Sequence, residues 1–434
     1  MKKKIFFCLI VLLFCFRLLF GITSEFWFED ELQIYLIGLK FYTTGNWPFF
    51  GPDVVYTQSQ IPGAIQGLLT GLPFYLFPIP EAPYIFLNII SFLSLVLFAC
   101  YVTKRIPSLP EWFVWIITLT TPWVLNFSTH IVNPSYVLPF SIIFFISFFE
   151  SIPLYKDKIF NTKLSLFLMG LTVALIMQLH LSWILLVPFI IVSLFYSFKN
   201  KGKNKLVPLL FCLAGFLSGA SLLIPTFIKY GISGTGGTES NLIFNPGNIK
   251  NFVTVLCRYF SLAAYEIPYM LGGNSQERME VIKNYPWIAP SSLILLIVGW
   301  LQVCVFIFFL IKKNISREFH IVRIITAVSF FIVFISFFFS VKGPSSHTFY
   351  VIIPIPLLFS FYCYNYFVVN YKKWFNYISV TIITLSFIMY LGIISYNFNN
   401  KSLYKDRQKV ENAINKKNYK LLSPRRADVW RKGY

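Results

Sequence analysis

Long apolar runs separated by short polar intervals dominate the chain, and the length of those runs decides its class. Read for stretches of roughly 20 mainly apolar residues, the length that crosses a bilayer core, the pattern predicts about eleven spans. They lie near 5 to 22, 83 to 103, 111 to 128, 134 to 150, 164 to 180, 181 to 198, 206 to 228, 288 to 311, 321 to 341, 348 to 369 and 375 to 396. Only helices and closed barrels satisfy their backbone in hydrocarbon, and uninterrupted apolar runs do not suit a barrel. The expected fold is therefore all-α and polytopic: one multispan transmembrane domain over 1–396, then a basic C-terminal tail over 397–434. Two polar intervals are long, 23–82 and 229–285, and the remaining ones are short.

Inside the first long interval the pattern changes. Residues 24 to 44 read as a helix with Ser24 as N-cap, stopped at "TTGNWP" by Gly45 and Pro48. Its aromatic flank, Phe26, Trp27, Phe28 and Tyr35, suits a helix lying along the membrane interface. Prolines beyond Asn46 are expected to break the rest of the loop into short interfacial pieces.

Composition agrees with the pattern: 434 residues, 56% hydrophobic, 20% aromatic, with a mean hydropathy of +0.67, too apolar for a soluble surface. The start, "MKKKIFFCLIVLLFCF", imitates a signal peptide, but its apolar stretch is too long and no small-residue cleavage site follows, so it reads as a retained first span. Seven cysteines show no metal-ligand spacing and read as small core residues.

The net charge of +20 does not indicate nucleic acid, because the cations cluster at span ends. With the N-terminus inside, about 18 cations fall on inner segments and about 7 in outer loops, a positive-inside bias. The two long loops are then outer, and chemistry is expected there, because loops carry function and spans carry scaffold. An odd number of spans also puts the tail, with about 11 cations, outside. A tail that forms a small outer subdomain, or rests on anionic lipid, removes that conflict.

Acids are scarce, yet Glu25, Glu29, Asp30, Glu31, Asp53 and Glu81 all fall in or at the end of the first outer loop. Three consecutive carboxylates in "FWFEDELQIYL" have a purely structural reading, since acids in a first turn complement the helix dipole. Their functional reading is general-base work, with Asp30 and Glu31 pointing about 100° apart so that one acts while the other orients it. Gln58, with Gln60 and Gln66, offers amides for sugar hydroxyls. His130 and Asn133 in "THIVNPSY", and His180 in "QLHLSW", sit at outer span ends, where they either satisfy helix termini or line one cleft. Lys342, His347, Arg258 and Arg17 are the candidate anion binders, each also readable as an interfacial anchor. The glycines of "YGISGTGGTESN" lack a Gly-Lys-Ser/Thr ending, which rejects a Walker loop.

The acid pair after the first span in "F-x-D-E-L-x-x-Y-x-x-G", followed by "GNWPFFGPD", resembles the membrane glycosyltransferases of the GT-C fold, in particular protein mannosyltransferase and aminoarabinose transferase relatives. "HIVNPSYVLPF" and "FYVIIPIPLLF" look like segments of bacterial members, and the resemblance runs to about Tyr396. In many relatives the last of these segments begins with Arg-Tyr, where Phe349 and Tyr350 stand here. The resemblance implies a GT-C-type first outer loop with interfacial helices, in a bacterial inner membrane with the active site facing the periplasm. It implies a polyprenyl-phosphate sugar as donor, a lipid, glycan or protein as acceptor, and inversion at the anomeric carbon. Asp30 is then the base and Glu31 its neighbour. Tyr35, Asp53, Gln58, His130, Asn133, His180, Arg258, Lys342 and His347 are the residues expected to bind substrate. No cofactor is required by the sequence, and no set of oxygen ligands at fixed spacing supports a divalent cation. Two other classes stay open: a flippase or transporter for a lipid-linked glycan, and an enzyme like the O-antigen ligases and polymerases.

Overall fold

The computed structural model describes residues 3–23, 29–54, 59–200, 206–231, 244–263, 266–340, 344, 346–400 and 407–422. Helix α1 (Lys3–Thr23) leads to α2 (Glu29–Thr44), whose expected start at Ser24 lies outside the described residues. Strands β1 (Phe50–Val54) and β2 (Ser59–Pro62) then form a hairpin, followed by α3 (Ile65–Leu76) and α4 (Ala82–Arg105). Next come α5 (Glu111–Thr120), α6 (Pro122–Ser128), α7 (Val137–Ser151), α8 (Thr162–Met177), α9 (Val187–Asn200), α10 (Leu206–Ala220) and α11 (Ile224–Tyr230). The chain continues through α12 (Phe252–Phe260), α13 (Glu266–Leu271), α14 (Ser275–Asn284), α15 (Ile288–Ile311), α16 (Arg317–Ser336), α17 (Pro354–Asn400) and α18 (Arg407–Asn415).

Among the described residues, seven helices are long and apolar enough to cross a membrane: Lys4–Thr23, Ala82–Arg105, Leu181–Lys199, Leu206–Tyr230, Ile288–Ile311, Arg317–Phe339 and Pro354–Asn399. This is the architecture of an all-α polytopic membrane protein. Large apolar side chains such as Leu12, Phe195, Leu217, Leu301 and Phe331 stay exposed on it, as a lipid-facing surface requires. Cys8, Cys15, Cys100 and Cys304 lie exposed as well, so the core reading holds for Cys212, Cys257 and Cys363 alone.

Three expected spans fall on shorter helices, and one break has a local cause. Pro122 drives Thr121 out of the helical region, to φ −60° and ψ 142°, which splits 111–128 into α5 and α6. Two other expected spans merge in α17, which bends at Tyr371 (φ −141°, ψ 41°) just before Lys372 and Lys373. Phe113 of α5 meets Phe361 at 6.5 Å and Phe375 at 4.8 Å, one from each side of the bend. Further on, the Tyr390 hydroxyl donates to the Thr120 carbonyl at 2.7 Å, so the second half of α17 returns along α5. Helices α8 and α10 approach through Gly170, Gly215 and Gly219, where an added Cβ would overlap the facing backbone.

One end of the bundle, here the loop face, carries the first loop. In place of purely helical pieces, β1 and β2 pair antiparallel, with Asp53 opposite Gln60 and Val54 opposite Ser59. A two-stranded ribbon has only edges, so Pro52 and Pro62 are tolerated in it. Gly63, at φ +128°, turns the chain into α3 directly against Gln178, and the Thr226 hydroxyl donates to the Phe49 carbonyl at 2.9 Å. The loop is thereby seated over α8 and α11. The tail returns to the same face: α18 buries Val410, Ala413 and Ile414, and Arg407 binds Glu81 at 2.7 Å. Residues 407–422 of the tail thus pack on the first loop.

Candidate functional site

Residues from four sequence-distant segments meet at the loop face. Glu266 opens α13 with its side chain buried. The Ser346 hydroxyl donates to one carboxylate oxygen, and the Asn126 amide donates to the other at 3.3 Å. Burial pushes the Glu266 carboxyl up to about 7, against the opposing pull of the Ser346 bond, the Arg258 charge and the Asn126 bond. A carboxyl at that value can hold or release a proton near neutrality.

Arg258, in the last turn of α12, is buried as well. It donates through Nη1 to the Pro344 carbonyl and through Nη2 to the Tyr269 hydroxyl at 2.9 Å, with its guanidinium 5.5 Å from the Tyr269 ring. Two residues further along that segment, Ser346 begins a short 3-10 turn that carries His347. His347 packs on Phe127 with ring centroids 6.3 Å apart. His180 accepts from the Ser182 N–H at 3.1 Å through Nδ1, which also contacts the Ser182 hydroxyl at 2.7 Å. Burial, and next the neighbouring His347, lower its pKa to about 3, so His180 is a neutral imidazole. His130 is buried, with Nδ1 2.9 Å from the Asn126 carbonyl and its ring on Phe20 at 5.4 Å. Asn126 therefore touches both His130 and Glu266.

Four of the expected site residues, His130, His180, Arg258 and His347, are brought together. Asn133 lies three residues beyond His130, its Oδ1 buried without a hydrogen-bond partner among the described residues. Tyr35 does something else: its hydroxyl donates to the Pro80 carbonyl at 2.9 Å and its ring stacks on Tyr84, which makes it packing of the first loop. Arg17 is likewise structural. Fully buried, it donates to the Leu119 carbonyl at 2.7 Å and to the Ser128 hydroxyl at 2.8 Å, tying α1 to α5 and α6.

Asp30 and Glu31 stand in the first turn of α2, where Glu31 is partly buried; the Asp30 side chain is outside the described residues. So are the Asp53 side chain, Gln58 and Lys342. Chain length nevertheless bounds the acid run. Six residue steps from Thr23 to Glu29 span at most about 22 Å. The end of α1 is packed at Gly21 against the Thr129 carbonyl, next to His130.

Sequence reasoning missed Glu266, Ser346 and Asn126, because a lone acid in "YEIPYM" belongs to no spacing pattern. A buried position in a long loop between spans marks it, and that is a property of the fold. No family model, no curated protein and no solved structure matches the chain.

Proposed function

We propose that the protein is an inverting glycosyltransferase of the bacterial inner membrane that moves a sugar from a polyprenyl-phosphate carrier to an acceptor hydroxyl at its periplasmic face. The observation that supports this reading is one juxtaposition. An acid run is tethered to the loop-face end of α1, and the same face gathers Arg258, His347, His180 and His130.

Displacing phosphate from an anomeric carbon needs little acid help, because phosphate leaves as a stable anion. It needs a base for the acceptor and cations for the leaving group. Asp30 takes the acceptor proton and Glu31 orients it. Arg258, His347 and Lys342 hold the phosphate, with Arg258 fixed in place by the Pro344 carbonyl and the Tyr269 hydroxyl. The acceptor oxygen attacks the anomeric carbon as the carrier phosphate departs from the opposite side, which inverts the configuration.

The test incubates the purified protein with a panel of polyprenyl-phosphate sugars and measures released carrier phosphate per folded molecule. Wild-type protein should release carrier with at least one donor. Asp30→Asn should lower the rate by about 10² to 10⁴ with donor binding retained, the usual cost of losing a general base, while Glu29→Gln should change little. Near-wild-type release by Asp30→Asn would reduce the acid run to a solvated helix end. Transport of the lipid across vesicles with no new glycosidic product would favour a flippase instead.

A further inference from the structure

The end of the bundle opposite the loop face holds a cavity of about 410 Å³, in a size class where ligand pockets run from about 300 to 1,000 Å³. Four segments border it: the turn that leaves α4, the α7–α8 loop, the first turn of α16 and the first half of α17. Hydrogen bonds brace these walls. The Ser108 hydroxyl donates to the Asn365 side chain at 2.6 Å, the Tyr155 and Tyr362 hydroxyls lie 3.2 Å apart, and Arg317, at the start of α16, donates to the Pro153 carbonyl at 3.1 Å. The cavity is therefore part of the fold and not a gap between loose turns.

Its lining carries charges of both signs that do not pair with each other. Lys104 and Lys156 are the cations and Asp157 and Glu318 the carboxylates, and among the described residues no ion pair joins any of them. Arg105 also lines the cavity, but its guanidinium is held by Glu150, by the Asp157 carbonyl at 2.7 Å and by the Tyr155 ring at 4.0 Å. Two cations then face two carboxylates, a balance that favours neither a simple anion nor a simple cation. A ligand that bears both signs meets all four with charge-assisted hydrogen bonds. The buried tyrosines add a donor: whichever hydroxyl donates to the other, the second keeps an O–H to give.

Depth narrows the class. Two helices of membrane-crossing length, Ala82–Arg105 and Arg317–Phe339, have an end at the cavity, and the ends of spans lie at the level of lipid headgroups. A quaternary ammonium would call for open aromatic faces, but the Tyr155 ring is taken by Arg105 and the Tyr362 ring stacks on Phe319 at 5.4 Å. A primary ammonium suits the two carboxylates. We propose that this cavity binds a phosphoethanolamine group, carried by a membrane lipid or free in solution, with its phosphate on Lys104, Lys156 and the tyrosine O–H and its ammonium on Asp157 and Glu318. No step of glycosyl transfer uses the site, so the proposal stands apart from that reading.

Lipid binding to the full-length protein tests this, measured in a non-ionic detergent at neutral pH by native mass spectrometry as the dissociation constant of the first bound lipid. The probes are phosphatidylethanolamine and phosphatidylglycerol, which shares the phosphate but lacks the ammonium. Wild-type protein should prefer phosphatidylethanolamine by about tenfold, roughly the worth of one charge-assisted contact. Glu318→Gln keeps the shape and should abolish that preference while leaving phosphatidylglycerol binding unchanged. Lys156→Ala should weaken both lipids by about tenfold, since both present a phosphate. Lys156 is exposed and Glu318 is partly exposed, so both variants should fold. Soluble phosphoethanolamine distinguishes the sources: displacement of the bound lipid shows that the free group suffices, and a preference that it does not displace identifies the lipid. Equal affinity of wild-type protein for the two lipids, or a preference that survives Glu318→Gln, overturns the proposal.

Discussion

Two buried carboxylates, each near an arginine, sit at opposite ends of the bundle, and their surroundings differ. Glu150, at the end of α7, accepts from the Arg105 guanidinium, from the Tyr101 hydroxyl at 2.8 Å and from the Ile159 N–H at 2.7 Å. Arg105 in turn donates to the Asp157 carbonyl at 2.7 Å and lies 4.0 Å from the Tyr155 ring. The arginine, the tyrosine and a backbone N–H all donate to the acid there. At the loop face, Arg258 instead directs its guanidinium to Pro344 and Tyr269, which leaves Glu266 with a hydroxyl and an amide. One arrangement fixes a charge and staples α4 to α7. The other withholds a partner and leaves a carboxyl that titrates near neutrality, the kind of perturbation that marks functional sites more often than scaffolds.

The same substitution at the two ends should therefore act in opposite ways, with the largest effect at the staple. Glu150→Gln puts an amide N–H₂ against a row of donors and leaves the Arg105 guanidinium buried without its counter-charge. Breaking such a buried pair costs about 3 to 5 kcal/mol. The variant should lose most of its folded yield in mild detergent, while carrier-phosphate release per surviving folded molecule stays near wild type. Full yield with impaired turnover would reverse the roles assigned to the two ends.

What could be read from the sequence divides along the same line. Spans such as 83–103 and 288–311 were legible because apolar length alone specifies them, and helices Ala82–Arg105 and Ile288–Ile311 occupy those positions. The hairpin was not legible, since "FGPDV" and "SQIP" carry glycine and proline and no alternation. His130, His180, Arg258 and His347 were singled out because polar residues at span ends stand out against an apolar background, and the fold brings them to one face. Glu266 was not, because its burial depends on Asn126 and Ser346, which lie 140 and 80 positions away. Tyr35 shows the converse: a position singled out by its motif carries a ring that packs on Tyr84. Composition and period are local quantities, whereas desolvation is set by whatever folds on top.

A smaller effect is expected at the other carboxyl. Glu266 is raised from 4.5 to about 7, so the folded protein binds its proton more tightly than the unfolded chain does. Stability should then fall as pH rises from about 4.5 and reach its full deficit above about 7, a difference of up to roughly 3 kcal/mol for a shift of this size. Glu266→Gln removes the titration and keeps the shape. Wild-type protein should melt progressively lower between pH 5 and pH 8, and the variant should show a flat profile lying above wild type at the alkaline end. A wild-type profile already flat across that window would mean that Glu266 is charged throughout, like a second staple.

The smallest effect should come from exchanging the arginine while keeping its charge. Arg258 spans two acceptors, the Pro344 carbonyl and the Tyr269 hydroxyl, with the two ends of one planar group. Lysine offers a single ammonium on a flexible stem and cannot bridge both in that geometry. Arg258→Lys should then release the segment that starts at Pro344 without exposing a buried charge, a loss of about 1 kcal/mol, the worth of one hydrogen bond. Melting should shift by only a few degrees, whereas amide exchange over Ser346–Ile352 should quicken several-fold, because that 3-10 turn is the part Arg258 anchors. Donor affinity should weaken by about tenfold, since the phosphate keeps a cation but loses its orientation. Arg105→Lys supplies the contrast: it disrupts contacts to Glu150, Asp157 and Tyr155 together, so it should lower stability strongly and leave donor affinity unchanged. Equal consequences from the two exchanges would show that the loop-face arginine is only another structural tie.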